Sequence, residues 1–420
     1  MKSPTAKLSA GRTLFFALTG TLLLSNAAFA QSPVKLTIWL TGDPNETKVI
    51  QTATDLYTKA HPSVTFALQA LPWSDAHAKI LSAAAAQQGP DIITGGLSWG
   101  IELGNLGGMV NLTKAYPALD KQVKAENLPG ILQSVVTTDG QLFAMPYNLT
   151  VQLQFLRPDL LKAAGVNGAP RTWDQLTSAI GKIQASGKKG YMVQWGNLDW
   201  LGLFPYLYQA GGSYYDKGCT KATVNSPAGV KALTYFAGLY KKFKVPTDAS
   251  PDLGGGLDNG NYPLGTSYST FNFDITYPKM KGKWSIAALP AGPTGKYTGF
   301  LGGTVIGIMA YSKNKDAAAD FLKSLNDAKV SKALIENAFK AGLYFIPPRS
   351  DFAQNLNLPA DQKAALLKQL KDSAGPPNCP GFEASNPEVS KAVQSVILNN
   401  ADPKAALDQA AAVMNANLKK

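Results

Sequence analysis

Alternation of short β-rich runs with amphipathic helical stripes predicts an α/β protein, and its length predicts more than one domain. Val34 to Leu40 is an apolar, β-rich run. Glu46 to Ala60 follows with Val49, Ile50, Ala53, Leu56, Tyr57 and Ala60 on one helical stripe. His61-Pro62 ends that helix, because proline lacks a donor and restricts the residue before it. Val64, Phe66 and Leu68 alternate as a half-buried strand; Ser74 is placed to cap a second helix, which runs to Ala86 before Gly89-Pro90. Asp91-Ile92-Ile93 is a third strand. Strand, helix, strand, helix, strand at this spacing predicts a parallel sheet. Ligands of open sheets bind beyond the carboxyl ends of the strands, so residues 41–46 and 95–99 are the loops of interest.

A second α/β region begins after Tyr147. Thr172 is the expected N-cap of a helix opening at Trp173, and Gly187 to Gly190 turns into the strand-like run Tyr191 to Trp195. Ser226-Pro227 opens another helix, and the glycine-rich stretch 250–261 reads as a mobile loop. Gly303 to Met309 reads as a strand, and Ser312 to Leu325 as a helix with Ala318, Phe321, Leu322 and Leu325 facing inward.

The N-terminus has the pattern of an export signal. Lys2, Lys7 and Arg12 precede the apolar run Leu14 to Leu24, which is too short to span a bilayer, and Ala28-Phe29-Ala30 supplies the small residues of a cleavage site. Residues 1–30 are therefore read as a signal peptide, with an exported mature chain of about 390 residues, long for one domain. The full chain has a net charge of +12; losing residues 1–30 removes three basic residues and no acidic one, leaving +9. The lysines are scattered, without an arginine-rich stripe, so nucleic acid is not an expected partner. Cys219 and Cys379 are the only cysteines, compatible with one disulfide in an oxidising compartment. The two histidines, His61 and His77, have no partners at metal-ligand spacing. There is no G-x-S-x-G elbow and no H-E-x-x-H, so an enzyme is not expected and no cofactor is implied.

Several stretches, in order, resemble the extracellular solute-binding family that includes the maltodextrin-binding receptor. They are LTIWLTGDPNE (36–46), GPDIITGGLSWGIELGNLGGMVNL (89–112), DGQLFAMPYNLTVQLQFLRPDLLKAAG (139–165), APRTWDQL (169–176), YQAGGSYY (208–215) and ALPAGPTGKYTGFLGGTVIGIMAYSKNKDAAADFLKSL (288–325). The resemblance covers nearly all the mature chain. It implies a two-lobed periplasmic-binding-protein fold, type II-like, each lobe a mixed sheet flanked by helices and joined by hinge strands. The implied lobes are 31–147 plus 303–346, and 148–302 plus 347–420. The implied function is capture of a sugar in the interlobe cleft and delivery to the permease of an ABC importer. A monomer in the periplasm or envelope space is expected.

A sugar site needs aromatic plates for C–H faces and carboxylates, amides and backbone groups for hydroxyls. On the first lobe the resemblance points to Asp43 and Glu46 after the first strand, and Ser98 and Trp99 in the next such loop. At the crossings it points to Tyr147, Asn148, Gly302 and Gly303. In the second lobe it points to Asp199 and Trp200, while Trp195 is assigned to the core. Phe271, Asn272 and Asp274 stand where relatives often carry a glycine-tryptophan element that this chain lacks; Asn272 and Asp274 are kept as candidates. Arg349, after Pro347-Pro348, is the last candidate. The same fold with a polyamine or a glycerol phosphate is the alternative, and a secreted glycoside hydrolase a distant one. Polyamines also favour acids and aromatics, whereas phosphates call for convergent cations.

Overall fold

The run after Pro33 forms β1 (Val34–Thr41), in which Leu36, Ile38 and Leu40 are buried. A computed structural model describes Met1 and residues 33–419, apart from 195–196, 249–250, 269–272 and 342. Residues 2–30 of the expected signal peptide, Trp195, Phe271 and Asn272 thus lie outside the described residues. The helix Glu46–Ala60 returns the chain to β2 (Val64–Leu71), and the helix Trp73–Ala86 leads to β3 (Ile92–Gly96). β1 pairs in parallel with both β2 and β3, as the alternation predicts.

The remaining strands are β4 (Ala144–Leu156), β5 (Tyr191–Val193), β6 (Leu264–Tyr268), β7 (Ser285–Ala287) and β8 (Leu301–Ile308). The sheet order is β2-β1-β3-β8-β4-β6-β5, with β7 paired to β4. β8 runs antiparallel to β3 and β4, and β4 antiparallel to β6, while β5 and β6 are parallel. Long β4 therefore links a parallel unit built on β1–β3 to another built on β5–β6.

Two apolar cores flank this sheet. One joins β1–β3, β8 and the inward side of β4 with Phe321, Leu322, Phe352, Leu366 and Leu370. The other joins Trp173, Leu176 and Tyr191 with the helices Trp200–Gln209, Pro227–Phe243, Phe382–Asn399 and Pro403–Asn417. Phe352, Leu356, Leu366 and Leu370 pack with the first core, although 347–420 was expected in the other lobe.

Local readings hold at Thr172 and Ser226, whose side chains accept from Gln175 and Gly229 N–H groups. Others need correction. Leu56 is exposed because it lies roughly 90° around the helix from the centre of the buried stripe. The second helix begins at Trp73, after Pro72, without a side-chain cap from Ser74. The glycine-rich stretch contains the short helix Leu253–Asp258, capped by Asp252 and held by buried Leu253 and Leu257. The helix read from Ser312 begins at Lys315.

A disulfide joins Cys219 to Cys379, with Cα atoms 5.4 Å apart and a sequence separation of 160. It ties a loop of the second core to the segment entering the helix Phe382–Asn399. Closing so long a loop restricts the unfolded chain by about 5 kcal/mol in the entropic account. Cys219→Ser/Cys379→Ser is expected to fold but to melt about 3–6 °C lower by calorimetry.

Candidate functional site

All three parallel strands of the first unit deliver a loop to one sheet edge. Buried hydrogen bonds lock the carboxyl ends of β1 and β3 together: Thr41 N–H donates to Thr94 Oγ1 at 2.8 Å, and Thr41 Oγ1 donates to the Thr94 carbonyl at 2.7 Å. Deeper in the sheet, buried Asp91 accepts from Thr37 N–H, Thr37 Oγ1 and Ser312 Oγ at 2.7–2.9 Å, tying both strands to the turn before the helix Lys315–Leu325. The loops after β1 and β3 are thus fixed side by side, and Pro72-Trp73 follows β2 at the same edge.

After β1, exposed Asp43 accepts the Asn45 N–H at 2.8 Å and forms a tight turn into the helix. Glu46, at the helix start, lies over Gly42, where a Cβ would fall 2.8 Å from Glu46 Cγ. Gly42 has φ +141°, a conformation that favours glycine. Burial, reinforced by the Asp43 carboxylate, pushes the Glu46 carboxyl up to about 7. Its charge also reaches Tyr147, whose hydroxyl is held well above its ordinary pKa, chiefly by burial. The Tyr147 hydroxyl is fully buried and has no hydrogen-bond partner among the described residues.

After β3, the Trp99 indole lies on the glycine pair before it. A Cβ on Gly95 would come within 2.4 Å of the ring, and one on Gly96 within 2.9 Å. Trp99 meets His77 at 4.6 Å and, edge-to-face, Trp73 at 5.6 Å between ring centroids. Trp99 is consequently only 7% exposed, whereas Trp73 is 51% exposed. His77 Nε2 lies 2.6 Å from Glu102 Oε2, and that carboxylate holds the imidazole above its ordinary range. Ser98 Oγ donates to Glu383 Oε1, from the helix Phe382–Asn399.

The second wall is built on the helix Trp200–Gln209. Asp199 caps it, accepting from Leu201 N–H at 2.8 Å and Gly202 N–H at 3.2 Å. Burial outweighs those bonds and pushes its carboxyl up to about 6. Trp200 meets Phe382 at 5.2 Å and Phe300 at 5.5 Å, both edge-to-face.

The crossings meet at Asn148 and Gly303. Asn148 Oδ1 accepts the Ile346 N–H at 3.0 Å, and Leu149 N–H donates to the Ile346 carbonyl at 2.8 Å, joining a third segment to β4 and β8. Gly303 has φ +130°, and a Cβ there would lie 2.0 Å from the Asn148 carbonyl oxygen. At Gly302 a Cβ would meet Phe300 and Thr150 at 2.8 Å. These glycines serve close strand approach.

The structure thus gathers Asp43, Glu46 and Tyr147 near one another, joins Ser98 to Glu383, and sets Trp200 against Phe382. It does not bring in Arg349, whose guanidinium pairs with Glu126 at 2.6 Å and Asp351 at 2.9 Å. Exposed Asp274 accepts from Trp284 Nε1 at 2.6 Å. Sequence reasoning missed Trp73, His77, Glu102 and Glu383. Trp73 was open to discovery, since the strand-end rule applies to β2 as to its neighbours. A cavity of about 1080 Å³ lined by Arg171, Asp174, Lys182, Tyr297 and Lys368 contains none of the expected residues. Among the described residues, no group of three or more His, Cys, Asp or Glu side chains is placed to hold a metal.

This architecture is the two-lobed α/β fold of periplasmic binding proteins. A structure of an ABC transporter solute-binding protein from Thermotoga lettingae, bound with alpha-D-tagatose, superposes with a TM-score of 0.79 at 23% identity, covering 92% of this chain and 100% of that one. The chain belongs to the bacterial extracellular solute-binding protein family, whose model matches residues 42–332. It is 35% identical over 246 residues to a probable ABC transporter-binding protein of Deinococcus radiodurans, a match covering 53% of this chain and 56% of that protein. It is 27% identical over 330 residues, 75% of each chain, to the lactose-binding protein of Rhizobium radiobacter.

Two outcomes test this geometry. Glu46 holds its proton more tightly when folded, so its stabilising contribution is complete below about pH 4.5 and is lost as pH rises to about 7. Melting curves of Glu46→Gln should lose that part of the pH dependence and show a higher Tm than wild type at pH 8. Gly303→Ala should lower stability by about 2–4 kcal/mol in urea titrations, from clash and positive φ together.

Proposed function

We propose that this chain captures a mono- or oligosaccharide between its lobes, closes about the hinge and presents the loaded form to an ABC permease. Lobes of 31–147 plus 303–346 and 148–302 plus 347–420 are proposed, with the helical tail contributing to both cores. The reading includes export after cleavage near Ala30, action as a monomer, and no chemical step. Two lobes that gain contacts together only when closed let a ligand shift the hinge equilibrium by differential affinity.

The observation that carries the sugar reading is the buried, unpartnered Tyr147 hydroxyl within the electrostatic reach of Glu46. A sugar hydroxyl can accept from Tyr147 and donate to the Glu46 carboxylate at the same time, which suits this pair. The neighbouring Asp43 and Glu46 carboxyls disfavour an anionic phosphate, while an ammonium could donate to both oxygens, so the titration below separates sugar from polyamine. The tagatose-bound structural neighbour and the lactose-binding relative support the same reading.

The test is calorimetric titration of the mature chain with lactose, tagatose, maltose, spermidine and glycerol 3-phosphate. Saturable binding of one sugar without turnover is expected, with affinity falling from pH 8 to pH 5 as Glu46 and Asp199 take up protons and cease to accept as carboxylates. Response to spermidine or glycerol phosphate alone contradicts the sugar assignment, and hydrolysis contradicts the receptor. Tyr147→Phe should weaken binding roughly tenfold while leaving the free protein as stable or more so, because it deletes a hydroxyl that has no partner.

A further inference from the structure

We propose that Glu383 is a positioning residue that latches the two lobes across the cleft before ligand arrives, through the Ser98 hydroxyl. The inference uses the hinge of the proposed function but not its choice of ligand.

Ser98 and Glu383 are 285 residues apart in sequence and belong to different halves of the molecule. Ser98 follows β3, whose buried residues lie in the first core. Glu383 stands in the first turn of the helix Phe382–Asn399, whose buried residues Phe382, Val389 and Val393 lie in the second. Their hydrogen bond therefore spans from one packed body to the other.

The bond is also wired into the second wall. Glu383 Oε2 accepts from Asn386 Nδ2 at 3.3 Å, Ser390 Oγ donates to the Asn386 carbonyl at 3.2 Å, and Trp200 N–H donates to Ser390 Oγ at 3.2 Å. The neighbouring Phe382 ring meets Trp200. Hydrogen bonds and a ring contact thus run from the first-unit loop to the start of the helix that Asp199 caps. Each end is braced on its own side: Trp99 beside Ser98 is held by Gly95, Gly96 and His77, and His77 by Glu102.

The electrostatics suit a reversible contact. A half-buried carboxylate is favoured at a helix N-terminus and faces His77, while Glu102 opposes it and burial pushes its proton affinity up. When the lobes part, water replaces the Ser98 hydroxyl. The bond is therefore a bias toward closure that a ligand can strengthen or displace, not a permanent tie.

The test uses small-angle X-ray scattering of the ligand-free mature chain, comparing wild type with Ser98→Ala, Glu383→Ala, Glu383→Gln and Ser98→Ala/Glu383→Ala. Each alanine variant should increase the radius of gyration. The double variant should increase it no further than the larger single effect, because both remove one bond. Glu383→Gln retains an acceptor for Ser98 and should restore the wild-type value. If Glu383→Ala fails to fold, Ser98→Ala still carries the test from the opposite lobe. Unchanged scattering in both alanine variants, additive effects, or no rescue by glutamine overturns the latch. Because no sugar is present, that failure leaves the sugar reading intact, and a failed sugar titration leaves the latch intact.

Discussion

The architecture depends on the close approach of β4 and β8 where they pass between the two cores. At Gly303 the backbone runs so near the Asn148 carbonyl that no side chain fits, and its positive φ suits glycine alone. The Asn148 side chain then takes up the Ile346 N–H, so one amide gathers a third segment to the pair. The crossing is accordingly tight and hydrogen-bonded. In the proposed function this crossing is the neck about which the lobes would pivot.

The neck alone makes a hinge; the strand ends make a site. Parallel pairing of β1, β2 and β3 brings three loops to one edge, and the Thr41–Thr94 bonds fix the spacing of two of them. The groups placed there include Glu46 with raised proton affinity, the buried Tyr147 phenol and two indoles in edge-to-face contact. Such a surface offers acceptors, one strong donor and flat apolar faces, the complement of a polyhydroxylated ring.

Much of this was legible in the sequence because the signals are local. Alternation gave the parallel strands, and the strand-end rule gave the loops holding Asp43, Glu46, Ser98 and Trp99. Thr172 was readable as a cap because capping needs only its own neighbours. Glu383 was not legible: its partner is 285 residues away, and alone it is an acid in a first turn, among the commonest of placements. Arg349 could be read either as a cleft residue or as the partner of an acid, and its partners Glu126 and Asp351 are visible only once the chain is folded. That Gly95 and Gly96 make room for the Trp99 indole is likewise visible only in the folded chain.

The central claim, that one ligand engages both lobes at these strand ends, is tested most directly by amide hydrogen exchange of the mature chain with and without the sugar selected by titration. The account predicts simultaneous protection of 42–46, 98–100 and 200–202, on opposite sides of the neck. Protection confined to one side, or centred on the cavity lined by Arg171, Lys182 and Lys368, would contradict it.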